Sequence, residues 1–178
     1  NLSNIHRQSL FTSKDIKKSK VSVAAKKLRE INPSTKIKTY KSRLNKNNIK
    51  NIIKDYEIII DGSDNFKTKF LINDFCVKFK KKLVTGAISK FDGHVFTFDF
   101  NDKKTASLKS FYQENEISDN DLNCEFEGVL GTTASIVGTT QANEALKMIM
   151  KIGQTLKNQI LIIDLLNLNF RKVKFNRK

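Results

Sequence analysis

The stretch Ile58-Ile59-Ile60-Asp61-Gly62-Ser63-Asp64-Asn65 decides the fold of this chain, because a short apolar run ends there abruptly in polar residues. Three consecutive isoleucines are typical of a strand that is covered on both faces. Gly62 favours a sharp turn directly after that strand. The turn places a set of polar side chains at the carboxyl end of the strand: Asp61, Ser63, Asp64 and Asn65. In open α/β sheets ligands bind at that end, so the stretch predicts both a buried strand and a ligand site.

Apolar periodicity on both sides of this stretch predicts alternating helices and strands. Helices are predicted at about 18–31, 47–55, 65–80 and 129–151, and strands at about 35–40, 56–61, 83–88, 94–100, 159–165 and 168–175. The strand–helix order indicates a βαβ series, so the early part of the sheet is expected to be parallel. We therefore expect an α/β fold with a doubly wound, Rossmann-like sheet, mostly parallel with antiparallel C-terminal strands.

Length and composition indicate one domain over residues 1–178, since no Pro/Gly/Ser-rich linker divides the chain. The chain begins with Asn1 rather than Met and carries no leader pattern, so we expect it to be N-terminally incomplete. Residues 101–127 are polar and aperiodic, and a loop of that length is usually functional or disordered.

The net charge of +15 raises the question of nucleic-acid binding. Nearly all the excess is lysine scattered through every segment, which indicates a coding bias rather than a phosphate-binding patch, so we expect no nucleic-acid partner. No apolar run reaches the roughly 18 residues of a membrane span. The two cysteines, Cys76 and Cys124, are far apart and form no Cys-x-x-Cys pair, which is typical of a reducing compartment. We expect a soluble, cytoplasmic protein.

Several short motifs follow one another along the chain. They are Ser3-Asn4-Ile5-His6-Arg7-Gln8, Lys18-Ser19-Lys20-Val21, Gly62-Ser63-Asp64-Asn65, Asn123-Cys124 before Gly128-Val129, and Gly138-Thr139-Thr140-Gln141-Ala142-Asn143-Glu144-Ala145-Leu146-Lys147. Their order resembles that of the ThiF/MoeB/HesA family of sulfur-carrier adenylyltransferases, which are relatives of the ubiquitin-activating enzymes. The resemblance spans essentially the whole chain.

The resemblance implies that ATP and Mg²⁺ activate the C-terminal glycine carboxylate of a small ubiquitin-like sulfur carrier that ends in Gly-Gly. The products would be an acyl-adenylate and pyrophosphate, in thiamine or molybdenum-cofactor biosynthesis. The resemblance also implies a homodimer.

The same resemblance assigns the candidate site residues. It implies nucleotide contacts for Ser3, Asn4, Ile5, His6, Arg7, Gln8, Lys20, Asp64 and Asn65, and catalytic roles for Arg7, Lys20, Asp64 and Cys124. Attack on the α-phosphorus requires cations that neutralise the triphosphate, as arginine and lysine can. Mg²⁺ usually takes one or two carboxylates plus phosphate oxygens, a role that falls to Asp64.

Each of these residues also has an ordinary structural interpretation. Asp64-Asn65 could be a helix N-cap, Lys20 part of a solvated lysine face, and Arg7 a surface cation. Cys124 could be a buried thiol or a carrier-facing nucleophile. Cys76 lies among the phenylalanines of the helix predicted at 65–80, where a small core residue is expected rather than a nucleophile.

The chain departs from the family in two respects. The first of two zinc-binding Cys-x-x-Cys pairs falls at Ala106-Ser107-Leu108-Lys109, and neither pair is present, so we predict no zinc site. None of the seven glycines forms a Gly-x-Gly-x-x-Gly loop, which the family places before Asn1. The chain by itself is therefore expected to bind ATP weakly or not at all. A non-catalytic carrier-binding scaffold is the alternative function.

Overall fold

The computed structural model describes residues 2–112 and 128–175. The chain forms two compact units, Asn1–Arg43 and Leu44–Lys178. The assignment of all 178 residues to a single adenylyltransferase domain stays a prediction. Cys124 lies outside the described residues.

The first unit contains one regular helix, α1 (Lys20–Ile31), among its described residues. Single turns of 3-10 helix precede it at Leu2–Asn4 and Ser13–Asp15. The strand predicted at 35–40 is wrong, because none of these residues belongs to a strand of the structure. Alternation alone does not make a strand without a neighbouring edge, and the Ile37 carbonyl accepts instead from Arg29 Nη2 at 3.3 Å.

The second unit contains a five-stranded sheet flanked by helices. Its elements are α2 (Ile49–Ile53), β1 (Ile58–Asp61), α3 (Phe66–Lys78), β2 (Lys82–Ser89), β3 (Asp92–Asp99), a 3-10 turn (Leu108–Ser110), α4 (Gly131–Met150), β4 (Gln159–Asp164) and β5 (Asn169–Lys174). The strand order is β1-β2-β3-β4-β5.

The predicted α/β class and its antiparallel C-terminal strands are confirmed. Strands β1 and β2 pair in parallel, and the other neighbouring pairs are antiparallel. The parallel share is smaller than expected, because β2 and β3 form a hairpin in which Ser89 pairs with Asp92. Two intervening residues cannot make the long crossover that parallel pairing needs.

Apolar side chains of β2, β3 and β4 form a buried cluster on each face of the sheet, as the alternation along these strands requires, whereas β5 is exposed along its length. One core cluster contains Leu83 and Phe96 together with residues of α2 and α3. The other contains their neighbours Val84 and Val95 together with Val137 of α4. Among the described residues, none of the helices is long and apolar enough to cross a membrane.

Helix α4 packs closely on the sheet because β2 has a glycine at the contact. A Cβ atom on Gly86 would lie 2.8 Å from Val137 Cγ1 and 2.8 Å from Gln141 Oε1. Such distances are below van der Waals contact, so the helix approaches the strand as closely as a hydrogen side chain allows. Gly138, on the exposed side of the same helix, has no such neighbour within 4 Å.

These two glycines give a matched pair for testing the packing. Gly86→Ala should lower the free energy of unfolding by about 1–3 kcal/mol, because the added methyl group overpacks the contact between β2 and α4. Gly138→Ala should raise it by about 1 kcal/mol, since alanine is the better helix former. Urea unfolding followed by circular dichroism measures both, and equal effects of the two changes would contradict this packing.

Candidate functional site

The turn after β1 is organised by the buried carboxylate of Asp61, which is 2% exposed. Its Oδ1 atom accepts from the backbone N–H of Ser63 at 2.8 Å and from Ser63 Oγ at 2.6 Å. Its Oδ2 atom accepts from Thr85 Oγ1 at 2.7 Å and from Lys69 Nζ at 3.2 Å. Four hydrogen bonds, one of them from a cation, compensate for the burial of this charge.

Two further contacts tie Asp61 and its partner Lys69 to the surrounding elements. Lys69 Nζ also donates to the carbonyl oxygen of Gly86 on β2, at 2.5 Å. Gln141 Nε2, on α4, donates to the backbone carbonyl of Asp61 at 2.8 Å. The end of β1 is thus bonded to β2, to α3 and to α4.

Asp64 lies three residues further along and is exposed, in contrast to Asp61. Its Oδ1 atom accepts from Asn65 Nδ2 at 3.1 Å. Asn65 is the N-cap of α3, and its Oδ1 atom accepts from the backbone N–H of Thr68 at 2.9 Å. The helix-cap interpretation therefore holds for Asn65, whereas Asp64 presents a carboxylate to solvent at the end of the parallel strand pair.

The N-terminal motif of the first unit forms a tight turn in which Asn4 contacts Arg7. Arg7 Nη2 donates to Asn4 Oδ1 at 2.7 Å, and Arg7 Nη1 lies 3.4 Å from Nε2 of the exposed His6. The backbone N–H of Gln8 donates to the Asn4 carbonyl at 3.1 Å. Asn4, Ile5, Arg7 and Gln8 are partly buried. The motif is thus an ordered turn that orients the guanidinium of Arg7.

Lys20 is the first residue of α1 and is exposed. A cation at a helix N-terminus is electrostatically unfavourable, because the helix dipole is positive there. Lys20 therefore does not stabilise its own helix. Lys27, further along α1, has a structural role instead, since it donates to the Leu10 carbonyl and to Asp15.

Some of the predicted site residues contact one another, in two groups, one in each unit. Asn4, His6 and Arg7 form the first group, and Asp64 and Asn65 form the second. Within residues 2–112 and 128–175 there is no group of three or more His, Cys, Asp or Glu residues that could hold a metal ion. The zinc prediction itself stays a prediction.

At the position of the missing cysteine pair, the described part of the loop is anchored by apolar burial. Ala106 and Leu108 are 0% and 1% exposed. The backbone N–H of Leu108 donates to Asn73 Oδ1 at 3.0 Å, and that of Ala106 donates to Asn158 Oδ1 at 3.2 Å. Core packing and side-chain amides therefore fix residues 106–108.

Sequence reasoning missed Lys69, Thr85 and Gln141 as part of the site. A signal was available for Lys69, because it falls at helical spacing with Phe66, Asn73 and Cys76 on the buried side of α3. A lysine among core positions requires a buried anion. The sequence alone does not show that this anion is Asp61.

His94 on β3 has a partner that was not visible in the sequence. Its Nδ1 atom lies 2.8 Å from Tyr112 Oη, within an aromatic cluster that includes Phe96 and Phe111. Burial lowers the pKa of His94 and raises the pKa of Tyr112. These directions favour a neutral, hydrogen-bonded pair in the core.

Cys76 is fully buried in the core beside α2 and β2, which confirms its assignment as a core residue. Burial raises the pKa of its thiol to about 12, and the nearby Asp61 carboxylate adds to the increase. Because the thiolate is the reactive form, Cys76 is unsuited to nucleophilic chemistry.

The mixed sheet, the helices on both its faces and the polar turn after β1 define an α/β protein with a candidate ligand site at a strand end. A profile of the ThiF family matches residues 1–178, and the chain belongs to that family.

Named relatives cover almost all of this chain. A probable molybdopterin-synthase adenylyltransferase of Pyropia yezoensis is 40% identical over 174 residues, which are 97% of this chain and 46% of the relative. The sulfur carrier protein adenylyltransferase of Thermus thermophilus is 35% identical over 179 residues, 99% of this chain and 66% of the relative. The chain therefore spans less than two thirds of the length of these curated relatives.

Solved structures of E. coli MccB share the fold. The structure of MccB with MccA superimposes with a TM-score of 0.83 at 17% identity and covers 99% of this chain and 53% of that one. The structure of MccB with ATP gives a TM-score of 0.82, also at 17% identity, over 100% of this chain and 54% of that one. This likeness confirms the Rossmann-like fold.

The burial of Cys76 predicts its reactivity. At pH 8 in native buffer, iodoacetamide should leave Cys76 unmodified, because almost none of its thiol is ionised and none of it is exposed. In 6 M guanidinium chloride it should be alkylated fully. Peptide mapping by mass spectrometry follows this residue alone, and rapid native alkylation of Cys76 would contradict its placement.

Proposed function

We propose that this chain belongs to an enzyme that uses ATP to adenylylate the C-terminal glycine carboxylate of a small ubiquitin-like sulfur carrier. The observation that carries the proposal is the exposed carboxylate of Asp64, set at the end of a parallel strand pair in a member of the ThiF family. The adenylyltransferase names of the relatives support the same reaction.

The reaction requires positive charge and positioning rather than acid–base chemistry. A carboxylate oxygen of the carrier bonds to the α-phosphorus of ATP, and the bond from that phosphorus to the bridging oxygen breaks. Pyrophosphate leaves with the electron pair, and no proton has to move. Fixed cations that neutralise the triphosphate and the leaving group lower the barrier.

Arg7 and Lys20 supply this charge in the proposal. The hydrogen bond from Arg7 to Asn4 orients the guanidinium before any ligand binds, which reduces the entropy that binding must overcome. Lys20 is exposed where its charge is unfavourable to its own helix, which supports a role toward an anionic ligand. Ser3, Ile5, His6, Gln8 and Asn65 are the further nucleotide contacts that the proposal includes.

Asp64 fits a magnesium ion that is shared with phosphate oxygens. Mg²⁺ keeps several waters and is usually held by one or two protein carboxylates together with substrate phosphates. A single exposed carboxylate matches that donor set. When bound, the ion would neutralise charge on the triphosphate. Adenylylation itself needs no thiol, so a nucleophilic Cys124 would belong to a later step.

The proposal includes a carrier that ends in Gly-Gly, a homodimer and a cytoplasmic location. It covers thiamine and molybdenum-cofactor biosynthesis equally, because the carriers of both pathways end in glycine. In the proposal the first unit contributes Arg7 and Lys20, and the second unit contributes Asp64.

The reaction can be tested as carrier-dependent exchange of labelled pyrophosphate into ATP by the full-length protein. Asp64→Ala should lower the exchange rate by about 100-fold, since it removes the carboxylate that would hold Mg²⁺ against the triphosphate. Asp74→Ala is the matched control, because Asp74 is a half-exposed aspartate of α3 that pairs with Lys109. It should leave the exchange rate unchanged.

Normal exchange by a folded Asp64→Ala variant would contradict the role of Asp64. Carrier binding by the full-length protein without any nucleotide binding, measured by calorimetry, would instead select the non-catalytic scaffold.

A further inference from the structure

We propose that Lys69 is a positioning residue that holds the turn carrying Asp64 in its active geometry. The inference rests on the proposed function of Asp64. Lys69 itself is 4% exposed and is removed from solvent, so it acts through the turn rather than on a ligand.

The chain of contacts starts at the ammonium group of Lys69. It donates to Asp61 Oδ2 at 3.2 Å and to the carbonyl of Gly86 at 2.5 Å. A buried cation and a buried carboxylate are each costly alone, so each fixes the position of the other. Lys69 thereby sets the orientation of the Asp61 carboxylate relative to β2.

The other oxygen of the Asp61 carboxylate is hydrogen-bonded to the turn. Asp61 Oδ1 accepts from both the backbone N–H and the hydroxyl of Ser63. Packing does not fix Gly62, the residue between Asp61 and Ser63, because a Cβ atom on Gly62 would meet nothing within 4 Å. Hydrogen bonds to Asp61 therefore determine the path of the chain through this turn.

Helix α3 holds the other end of the turn. Asn65 caps the helix through Thr68, and the backbone N–H of Lys69 donates to the Asn65 carbonyl at 3.2 Å. Asp64 thus lies between Ser63, which is held through Asp61, and Asn65, which is held by the first turn of α3. Lys69 contributes to both anchors, one through its side chain and one through its backbone.

A purely structural role for Lys69 would be limited to offsetting the buried charge of Asp61. That role predicts lower stability without a specific effect on the turn or on nucleotide binding. Lys82 provides a matched comparison, because it pairs with Glu57 at the opposite end of the same two strands. Loss of either lysine breaks an ion pair between the β1 region and its neighbours. Only Lys69, however, contacts Asp61, the residue that accepts the hydrogen bonds of Ser63.

The experiment compares Lys69→Met, Thr85→Val and Lys82→Met in the full-length protein. Hydrogen–deuterium exchange of peptides covering residues 62–66 reports the turn without requiring activity. Lys69→Met should speed exchange there and raise the KM for ATP in pyrophosphate exchange by about tenfold, the usual loss when a supporting contact of a site is removed. Thr85→Val removes one hydrogen bond to Asp61. It should therefore also speed hydrogen–deuterium exchange at 62–66 and raise the KM for ATP, but by smaller amounts than Lys69→Met. Lys82→Met should change neither quantity.

The double variant Asp64→Ala/Lys69→Met tests whether Lys69 acts through Asp64. Its rate of pyrophosphate exchange should be no lower than that of Asp64→Ala alone, because the effects of two residues that act through one contact do not add. Additive losses would overturn the inference.

Two results for a folded Lys69→Met variant would also overturn the inference. One is unchanged hydrogen–deuterium exchange at residues 62–66, and the other is faster hydrogen–deuterium exchange there with an unchanged KM for ATP. If Lys69→Met does not fold, the same comparison between Thr85→Val and Lys82→Met decides the matter. If the wild-type protein shows no carrier-dependent exchange, the proposed function fails instead, and hydrogen exchange still shows whether Lys69 holds the turn.

Discussion

The hydrogen-bonded ion pair between Asp61 and Lys69 is the interaction on which the second unit depends. A buried carboxylate is tolerated only where donors surround it, and here the donors come from the turn, from β2 and from α3. Gln141 of α4 bonds to the backbone of the same residue. One residue at the end of β1 is therefore hydrogen-bonded to β2, α3 and α4, directly before the turn in which Asp64 lies.

Most of the regular elements were predictable from local patterns. The apolar run at 58–60 and the apolar periodicity of α3 and α4 each predicted the right element. The expected burial of the first strand on both faces is wrong, because Ile60 is 53% exposed. Residues 35–40 were mispredicted, because alternation describes a strand's two faces but says nothing about a pairing partner. The parallel share of the sheet was overestimated for a related reason. The direction of β3 depends on the two-residue connection after Ser89, not on the composition of either strand.

For the candidate site, too, local sequence patterns were predictable and tertiary contacts were not. Asp64 and Asn65 were predicted as site residues from a contiguous motif, and this stays a prediction, whereas the alternative interpretation as a helix cap is confirmed for Asn65. Lys69 was not identified, since it is one lysine among many and its importance comes from burial, which is a property of the packed helix. Gln141 was visible in a motif, but its bond to Asp61 spans 80 positions of sequence. Contacts of that range depend on the tertiary fold.

The two aspartates of the turn show how a site can be both solvent-accessible and well ordered. A carboxylate that is to bind a ligand has to be exposed, but an exposed side chain on a glycine turn has many conformations, and ordering them on binding costs free energy. Asp61 reduces that cost because it is buried and fully hydrogen-bonded, so the backbone that carries Asp64 is ordered beforehand. The backbone bends at Asp64 and Asn65, and a Cβ atom on Gly62 would meet nothing within 4 Å. In the proposed site the stretch at 61–65 separates support from function, with the inner carboxylate holding the backbone and the outer one left accessible to a metal ion.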